Sequence, residues 1–385
     1  MQRSDKRIVH ITTVHHPQDP RIVRKELCTL AEAGYDAYLI AQNGTSEESE
    51  KFTLRALTEG AGWGHRLLLQ WEAYREAVAL DADCYHVHDP ELLPLARLLQ
   101  RQTQGQIIYD MHEDYRWHGP IVGRLIRGLE RWCFRWVDHV VVANAPHLSI
   151  VETEEVPTTR IANYYKPLDR KQDQQGAEEQ RAPCSLPRSG PIRTLYTGVM
   201  GDGGGRGLSQ LIDLAGHMKA GGLDARLRLV GVCYVEASRR RAERRIRREG
   251  LGDVVERVGW DTYVPWNQLV QHYAEAHVGV VLGTDHPNQV EKIPTKFYEY
   301  LHYGLPILCT DFPVWRRFVE THECGAVVPS NEPRQALDVI QHWHQHPGEY
   351  RKRSEAALQA AQAYRWEIMG RRLVQLYDGL LRSTG

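Results

Sequence analysis

In EKIPTKFYEYLHYGLPILCTD, residues 291–311, two glutamates stand eight positions apart, Glu291 and Glu299, with Pro294 between them. Carboxylates accept hydrogen bonds from sugar or ribose hydroxyls, and the free amides of a helix start attract anions such as a pyrophosphate. Pro294 suits the first turn of a helix, where its missing N–H costs nothing, and Gly304 suits the left-handed position just past the end. The spacing therefore predicts a helix over about 294–303. An apolar strand, HVGVVLGT, precedes it and LPILCTD follows, so Glu291 falls on a loop, Glu299 on the helix, and both near a strand's C-terminal edge. Acidic pairs at this separation also arise by chance as solvated charges, but the string KxxEYLxxGLPI around this one is far rarer. Together these features describe a pocket for a sugar nucleotide.

A second stretch carries related chemistry. LYTGVMGDGGGRGLSQLI, residues 195–212, puts flexible glycines, Gly198 among them, and one cation, Arg206, just before a helical pattern, an arrangement that can wrap a diphosphate. His112 closes the strand-like QIIYDMH and is followed by Glu113 and Asp114, while His88 and Asp89 close CYHVHD in the same way. His15, His16, Asp19 and Arg21 lie in the first connecting loop, TVHHPQDPRIVRKE, within reach of an acceptor or a phosphate, although loop polarity explains them almost as well. None of the HxH or HHxxD groupings has convincing metal-ligand spacing, so no metal is expected.

These residues sit at the ends of short β-branched runs that alternate with helical patterns: 7–14, 36–42, 84–89, 106–112 and 138–144, then 192–199, 226–234, 254–260, 277–284, 305–311 and 324–330. Strand–helix alternation argues for parallel sheets. The polar stretch DRKQDQQGAEEQRAPCSLPRSGP is too poor in apolar groups to bury itself and reads as a linker. The expected organisation is an α/β chain of two doubly wound, Rossmann-like domains, 1–168 and 191–353, facing each other across a cleft and joined by a linker at 169–190. Ligands of such sheets sit beyond the C-terminal strand ends. The tail, 354–385, reads as a helix with Leu373, Leu376 and Leu380 on one stripe, able to pack on either domain.

Composition sets the outer limits. The 385 residues exceed what one ordinary core supports, and 48 Lys+Arg against 49 Asp+Glu give a formal charge of −1, so bulk charge points to no nucleic-acid partner. Seven cysteines, odd in number and without a CxxC pair, fit a reducing cytoplasm. The N-terminal apolar run is too short and interrupted for a signal peptide, and no stretch is long enough to span a bilayer. Any membrane contact is therefore peripheral. In PIVGRLIRGLERWCFRWV, residues 120–137, Ile121, Leu125, Leu129, Trp132 and Trp136 form one stripe flanked by Arg124, Arg127, Arg131 and Arg135. The expectation is a domain helix buried against its own sheet; the alternative is attachment to anionic lipid on the inner face of the membrane. SRRRAERRIRREG, residues 238–250, has only Ala242 and Ile246 on a thin apolar stripe and reads as a solvated helix.

The chain resembles the large retaining glycosyltransferase family 4, of GT-B fold, in which an acidic pair at E-x7-E spacing holds the donor; EKIPTKFYEYLHYGLPIL matches it, and YHVHDPELLPLA and IIYDMHEDY resemble the N-terminal strands. The resemblance implies that Glu291 contacts the transferred sugar and Glu299 the ribose, that Lys296 lies near the donor phosphates or the helix start, and that His112 bonds the transferred sugar. It implies metal-independent, retaining transfer by front-face attack, from a nucleotide-diphosphate sugar to a hydroxyl of a glycan or lipid-linked acceptor, as in polysaccharide biosynthesis. Two departures from the family stand out: Val199 follows Gly198 where an arginine is common, leaving phosphate contact to Arg206, and the first loop lacks the usual glycines. A nucleotide-sugar 2-epimerase of the same architecture and a non-catalytic GT-B-like binding protein are the alternatives.

Overall fold

The computed structural model describes residues 5–42, 44–60, 62–112, 121–151, 154–167 and 182–382. The chain divides into two units, Met1–Asn163 with Trp366–Gly385, and Tyr164–Arg365.

The first unit holds an eight-stranded sheet of β1 (Arg7–Ile11), β2 (Asp36–Gln42), β3 (Glu47–Glu48), β4 (Thr53–Leu57), β5 (Cys84–Val87), β6 (Gln106–Met111), β7 (His139–Val142) and β8 (Thr158–Arg160). Its order is β3-β4-β2-β1-β5-β6-β7-β8, parallel throughout except for the β3–β4 pair. All four residues of β5 and the valines of β7 are buried, as a sheet covered on both faces requires. The winding reverses between β1 and β5, so the loops after these two strands part at one point.

The second unit carries six parallel strands, β9 (Ile192–Thr197), β10 (Ala225–Val232), β11 (Val255–Trp260), β12 (Val278–Val281), β13 (Ile307–Thr310) and β14 (Gly325–Val328), in the order β11-β10-β9-β12-β13-β14. Here the reversal falls between β9 and β12. The helix Thr295–His302 is pinned over that point: the ring of Tyr300 fills the space a side chain on Gly279 of β12 would need, and its hydroxyl donates to Leu195 O at 2.9 Å. Gly304 follows the helix at φ +64°, in the left-handed position expected of it.

Every run read as a strand from the sequence contains one. The strands β3, β4 and β8 were not anticipated, because TLRAL alternates only weakly and neither the EE of β3 nor the TTR of β8 carries an apolar residue. The tail also differs from a single helix: Pro347–Ala361 and Trp366–Arg382 are separate, with Arg365 extended between them. Two aromatic residues pull the chain apart here. Tyr364 packs among Tyr164, Tyr298 and Phe318 of the second unit, whereas Trp366 is buried in the first, its indole N–H donating to Thr29 Oγ1 at 2.8 Å. The buried stripe of the last helix runs through Met369, Leu373, Tyr377 and Leu381 rather than Leu376 and Leu380, and the helix belongs to the first unit. Of the expected linker, the part from residue 182 on packs against the second unit: Cys184 N donates to Ser354 Oγ at 2.7 Å. Residues 169–181 lie outside the described residues.

Candidate active site

In the second unit the loops after β9 and β12 open where the sheet reverses, the place where doubly wound sheets take their ligands. Close packing dictates the glycines there. A Cβ on Gly207, at φ +68°, would stand 1.6 Å from Leu282 O. Only glycine lets this turn lie against the end of β12. The loops are then stitched together: Thr284 N donates to Gly205 O at 3.0 Å, and Gln289 Nε2 to Gly204 O at 3.0 Å.

Three of the residues singled out in the sequence converge beside β9. Lys296 Nζ lies 4.1 Å from the centroid of the Tyr196 ring, and a Cβ on Gly198, at φ +102°, would be 3.9 Å from that same nitrogen. Glu299, one turn further along the helix, accepts from the Tyr273 hydroxyl at 2.5 Å, and that hydroxyl also pairs with Thr197 Oγ1 at 3.1 Å. Burial first, and then the charge of Glu299, push the Tyr273 phenol well above its ordinary range, so it stays a donor that orients the carboxylate. Pro294 precedes the helix at the capping position and no side chain among the described residues caps the first turn; Phe297 N donates to Pro294 O at 3.0 Å, which leaves the amides of Thr295 and Lys296 to face an anion. Glu291 is exposed on the turn after the short helix Pro287–Val290.

The glycine-rich turn itself differs from a simple phosphate cradle. Asp202 Oδ1 accepts from Ser209 N at 2.9 Å and so occupies the start of the helix Leu208–Ala220, where an incoming phosphate would meet its charge. Arg206 folds back onto its own turn, Nη1 donating to Gly203 O at 3.2 Å, and is half-buried. The Thr295–His302 helix start, with Lys296 beside it, is consequently the better anion position.

In the first unit the ends of β1, β5 and β6 gather a histidine edge. Asp89 is buried and accepts from Thr12 Oγ1 (3.0 Å), Thr13 N (2.5 Å) and Val14 N (3.2 Å), which folds the first loop over β5. His15 lies 3.7 Å from Asp89 and 3.6 Å from Asp19; burial would lower its pKa, but the two carboxylates raise it overall. Its ring lies 4.6 Å from that of His112. His112 Nε2 bonds His88 Nδ1 at 2.9 Å and stands 3.4 Å from Asp110. Burial, with His88 and Arg21 adding to it, pulls His112 down to about 3 against the pull of Asp110, so the ring is a neutral imidazole. His88 is fully buried beneath it.

The other first-loop residues serve the fold. Arg21 is buried, paired with Asp110 at 3.0 Å and donating to Ile161 O at 2.9 Å, so its guanidinium is already engaged. Asp19 caps the helical turn Pro20–Leu27, accepting from Arg21 N at 2.8 Å and Ile22 N at 3.1 Å. His16 is exposed and accepts from Gln18 N. Glu113 and Asp114 lie outside the described residues. The groups that sequence reasoning missed are those that hold the others: Tyr196, Thr197 and Tyr273 carry no motif of their own, although Thr197–Gly198 at the end of a buried run marked the strand end.

Residues 195–360 match the family model of the Glycosyl transferases group 1, and residues 21–163 match that of the Glycosyl transferase 4-like domain. No curated protein sequence matches the chain. Among solved structures, sucrose-phosphate synthase from Thermosynechococcus elongatus is 18% identical with a TM-score of 0.76, covering 98% of this chain and 100% of its own. Anabaena HepE in complex with UDP-glucose is 12% identical at a TM-score of 0.69, with 97% and 99% covered. The α,α-trehalose 6-phosphate synthase of Burkholderia multivorans is 13% identical at 0.68, with 98% and 96% covered.

Proposed function

The chain belongs to the family 4 glycosyltransferases, of GT-B fold, and we propose that it transfers a sugar from a nucleotide-diphosphate sugar to a hydroxyl of a glycan or lipid-linked acceptor, with retention and without a metal at the reacting atoms. One observation carries this reading: Gly198, Lys296 and Glu299 meet at the reversal point of the second sheet, one cation and one oriented carboxylate beside an uncapped helix start. The Anabaena neighbour's complex with UDP-glucose supports a donor of this class. Negative charge grows on the leaving diphosphate, and Lys296 and the helix amides stabilise it there. Glu299 accepts from the ribose, and Glu291 bonds the transferred sugar. In front-face attack a donor phosphate oxygen takes the acceptor's proton, so no protein nucleophile is required.

A thermal-shift screen over UDP, GDP, ADP and TDP sugars identifies the donor, because a ligand bound only by the native state raises the melting temperature. Proton NMR of the product then reads the anomer. A sugar nucleotide epimerised in the absence of acceptor would replace transfer with epimerisation.

The acceptor side has its own support. Only part of the apolar stripe around the helix Val122–Cys133 packs as expected: Leu129 and Trp136 are half-buried against the core of the first unit, but Ile121 is 68% exposed, Leu125 69% and Trp132 48%, alongside exposed Arg124, Arg131 and Arg135. Buried instead are Gly123, Glu130 and Cys133, with the Glu130 carboxylate held by Tyr109 at 2.8 Å. Apolar side chains interspersed with arginines suit an anionic bilayer, and this face docks the chain on the inner surface of the cell membrane in the proposed reading. No helix among the described residues is long and apolar enough to cross a membrane. Co-sedimentation with vesicles rich in phosphatidylglycerol, lost in Leu125→Asp and absent with phosphatidylcholine alone, is the expected result; equal binding by the variant refutes the docking face.

A further inference from the structure

Beneath the histidine edge of the first unit lies a cluster that glycosyl transfer does not use. His10 of β1, His86 and His88 at the end of β5, and Glu26 from the helical turn Pro20–Leu27 are at most 1% exposed. Each offers one ligand atom, and these atoms lie within 4.8 Å of one another.

The hydrogen bonds sort the ring nitrogens into two sets. His86 Nδ1 is 2.7 Å from the Tyr377 hydroxyl, His10 Nε2 is 3.3 Å from the same hydroxyl, and His88 Nδ1 bonds His112 Nε2 at 2.9 Å. The opposite nitrogens are what remain. His10 Nδ1 and His88 Nε2 are hydrogen-bonded to each other at 2.9 Å, and His86 Nε2 has no hydrogen-bond partner among the described residues. Neither carboxylate oxygen of Glu26 accepts a hydrogen bond, although Oε1 lies 3.1 Å from Arg21 Nη2. Asp110, which shares that guanidinium, gives Arg21 two acids to balance. Leaving a buried polar atom unsatisfied costs about 1–3 kcal/mol; a cation placed here would satisfy His86 Nε2 and Glu26 and would take the place of the His10–His88 hydrogen bond.

We infer that His10 Nδ1, His86 Nε2, His88 Nε2 and the Glu26 carboxylate form a binding site for a divalent transition metal, of which zinc is the best fit. Three imidazoles and a carboxylate without a thiolate suit zinc, cobalt or nickel rather than copper(I), and four protein ligands would close the coordination shell of the ion. The supporting contacts are already in place, since a metal-bound imidazole donates its other N–H to a neighbour: His10 and His86 to the Tyr377 oxygen, His88 to His112. Ligands sit about 2.1 Å from zinc, so no two can be more than roughly 4.2 Å apart, and the cluster, whose atoms lie within 4.8 Å of one another, must draw together on binding. The rings of His86 and His88 are stacked at 4.7 Å between centroids. A neighbouring trio, His88, Asp110 and His112, has similar reach, but Asp110 is already engaged by Arg21. The bound ion would tie β1 and β5 to the Pro20–Leu27 turn and fix the proton on His88 that faces His112. It is a structural site, separate from the proposed transfer chemistry.

The test reads metal content, not activity. The full chain is produced in zinc-supplemented cells, passed through chelator-free gel filtration and measured by plasma mass spectrometry. About one zinc per chain is expected, at least tenfold less in His86→Gln and in the near-isosteric Glu26→Gln, and an unchanged amount in His342→Gln, whose side chain is exposed elsewhere. Glu26→Gln keeps the test open where His86→Gln fails to fold. Cobalt-loaded wild-type chain should show the visible bands of a four-coordinate site, absent from Glu26→Gln. A wild-type chain holding less than about a tenth of an equivalent, or variants retaining the full amount, overturns the inference.

Discussion

Replacing Lys296 by methionine removes one charge and keeps the length of the side chain. In the free protein the ammonium rests on the Tyr196 ring, 4.1 Å from its centroid, a contact worth about 0.5–1 kcal/mol at a partly exposed site. The stability of the variant should therefore change little. A hydrogen bond from this ammonium to a donor phosphate contributes about 1.5–3 kcal/mol. At roughly 1.4 kcal/mol per tenfold, Lys296→Met should weaken the nucleoside diphosphate by about ten- to a hundredfold. The free nucleoside, which lacks the phosphates, should bind wild type and variant alike. Calorimetric titration of both ligands into both proteins, with the base chosen by the thermal-shift screen, separates the two effects. Equal loss for nucleoside and diphosphate, or none for either, would refute the assignment of Lys296 to the phosphates.

The acidic pair should separate by role. Glu299→Ala is expected to weaken nucleotide binding about tenfold or more, whereas Glu291→Ala should lower kcat while leaving nucleotide affinity nearly intact; steady-state kinetics and titration together check this. Gly207→Ala forces a Cβ to within 1.6 Å of Leu282 O at φ +68°, so a loss of about 3 kcal/mol, or roughly 6–12 °C in Tm, is expected by calorimetry. Acid should act through His277, which burial pulls down to about 4 and whose Nδ1 accepts from Arg193 N at 2.9 Å. Below about pH 6.5 the unfolded chain takes up a proton that the native state refuses until about pH 4, so this contribution to stability is lost as pH falls through that window. His277→Gln should flatten the fall in Tm between about pH 7 and 4.5.

How far the sequence carried the argument differs from one element to the next. Strands buried on both faces announce themselves as apolar runs, and the end of such a run marks where site residues stand, which is why Gly198, His88 and His112 were found. Glu291, Lys296 and Glu299 were legible because a proline and a glycine bracket their helix. What stayed hidden depends on contacts distant in sequence. Nothing near Arg21 shows that Asp110, 89 residues away, buries its charge. The break at Arg365 has no glycine or proline to signal it and follows from Tyr364 and Trp366 packing into different units. The 122–133 helix was legible only in part, because a stripe of leucine and tryptophan does not show how much of it protein covers: Leu129 and Trp136 pack on the core, Ile121, Leu125 and Trp132 do not, and Glu130, an acid in the buried face, was the one hint. The His10–Glu26–His86–His88 cluster spans three elements with no fixed spacing, so only the fold assembles it.

The account rests on the acidic pair and Lys296 holding a sugar nucleotide at the end of β9, and a crystal of the chain soaked with the donor chosen by thermal shift tests it most directly. The expected density places the diphosphate against Lys296 Nζ and the first amides of Thr295–His302, the ribose on Glu299 and the sugar toward Glu291. A nucleotide bound elsewhere, with Glu299 still held only by Tyr273 and Lys296 still resting on Tyr196, would contradict it.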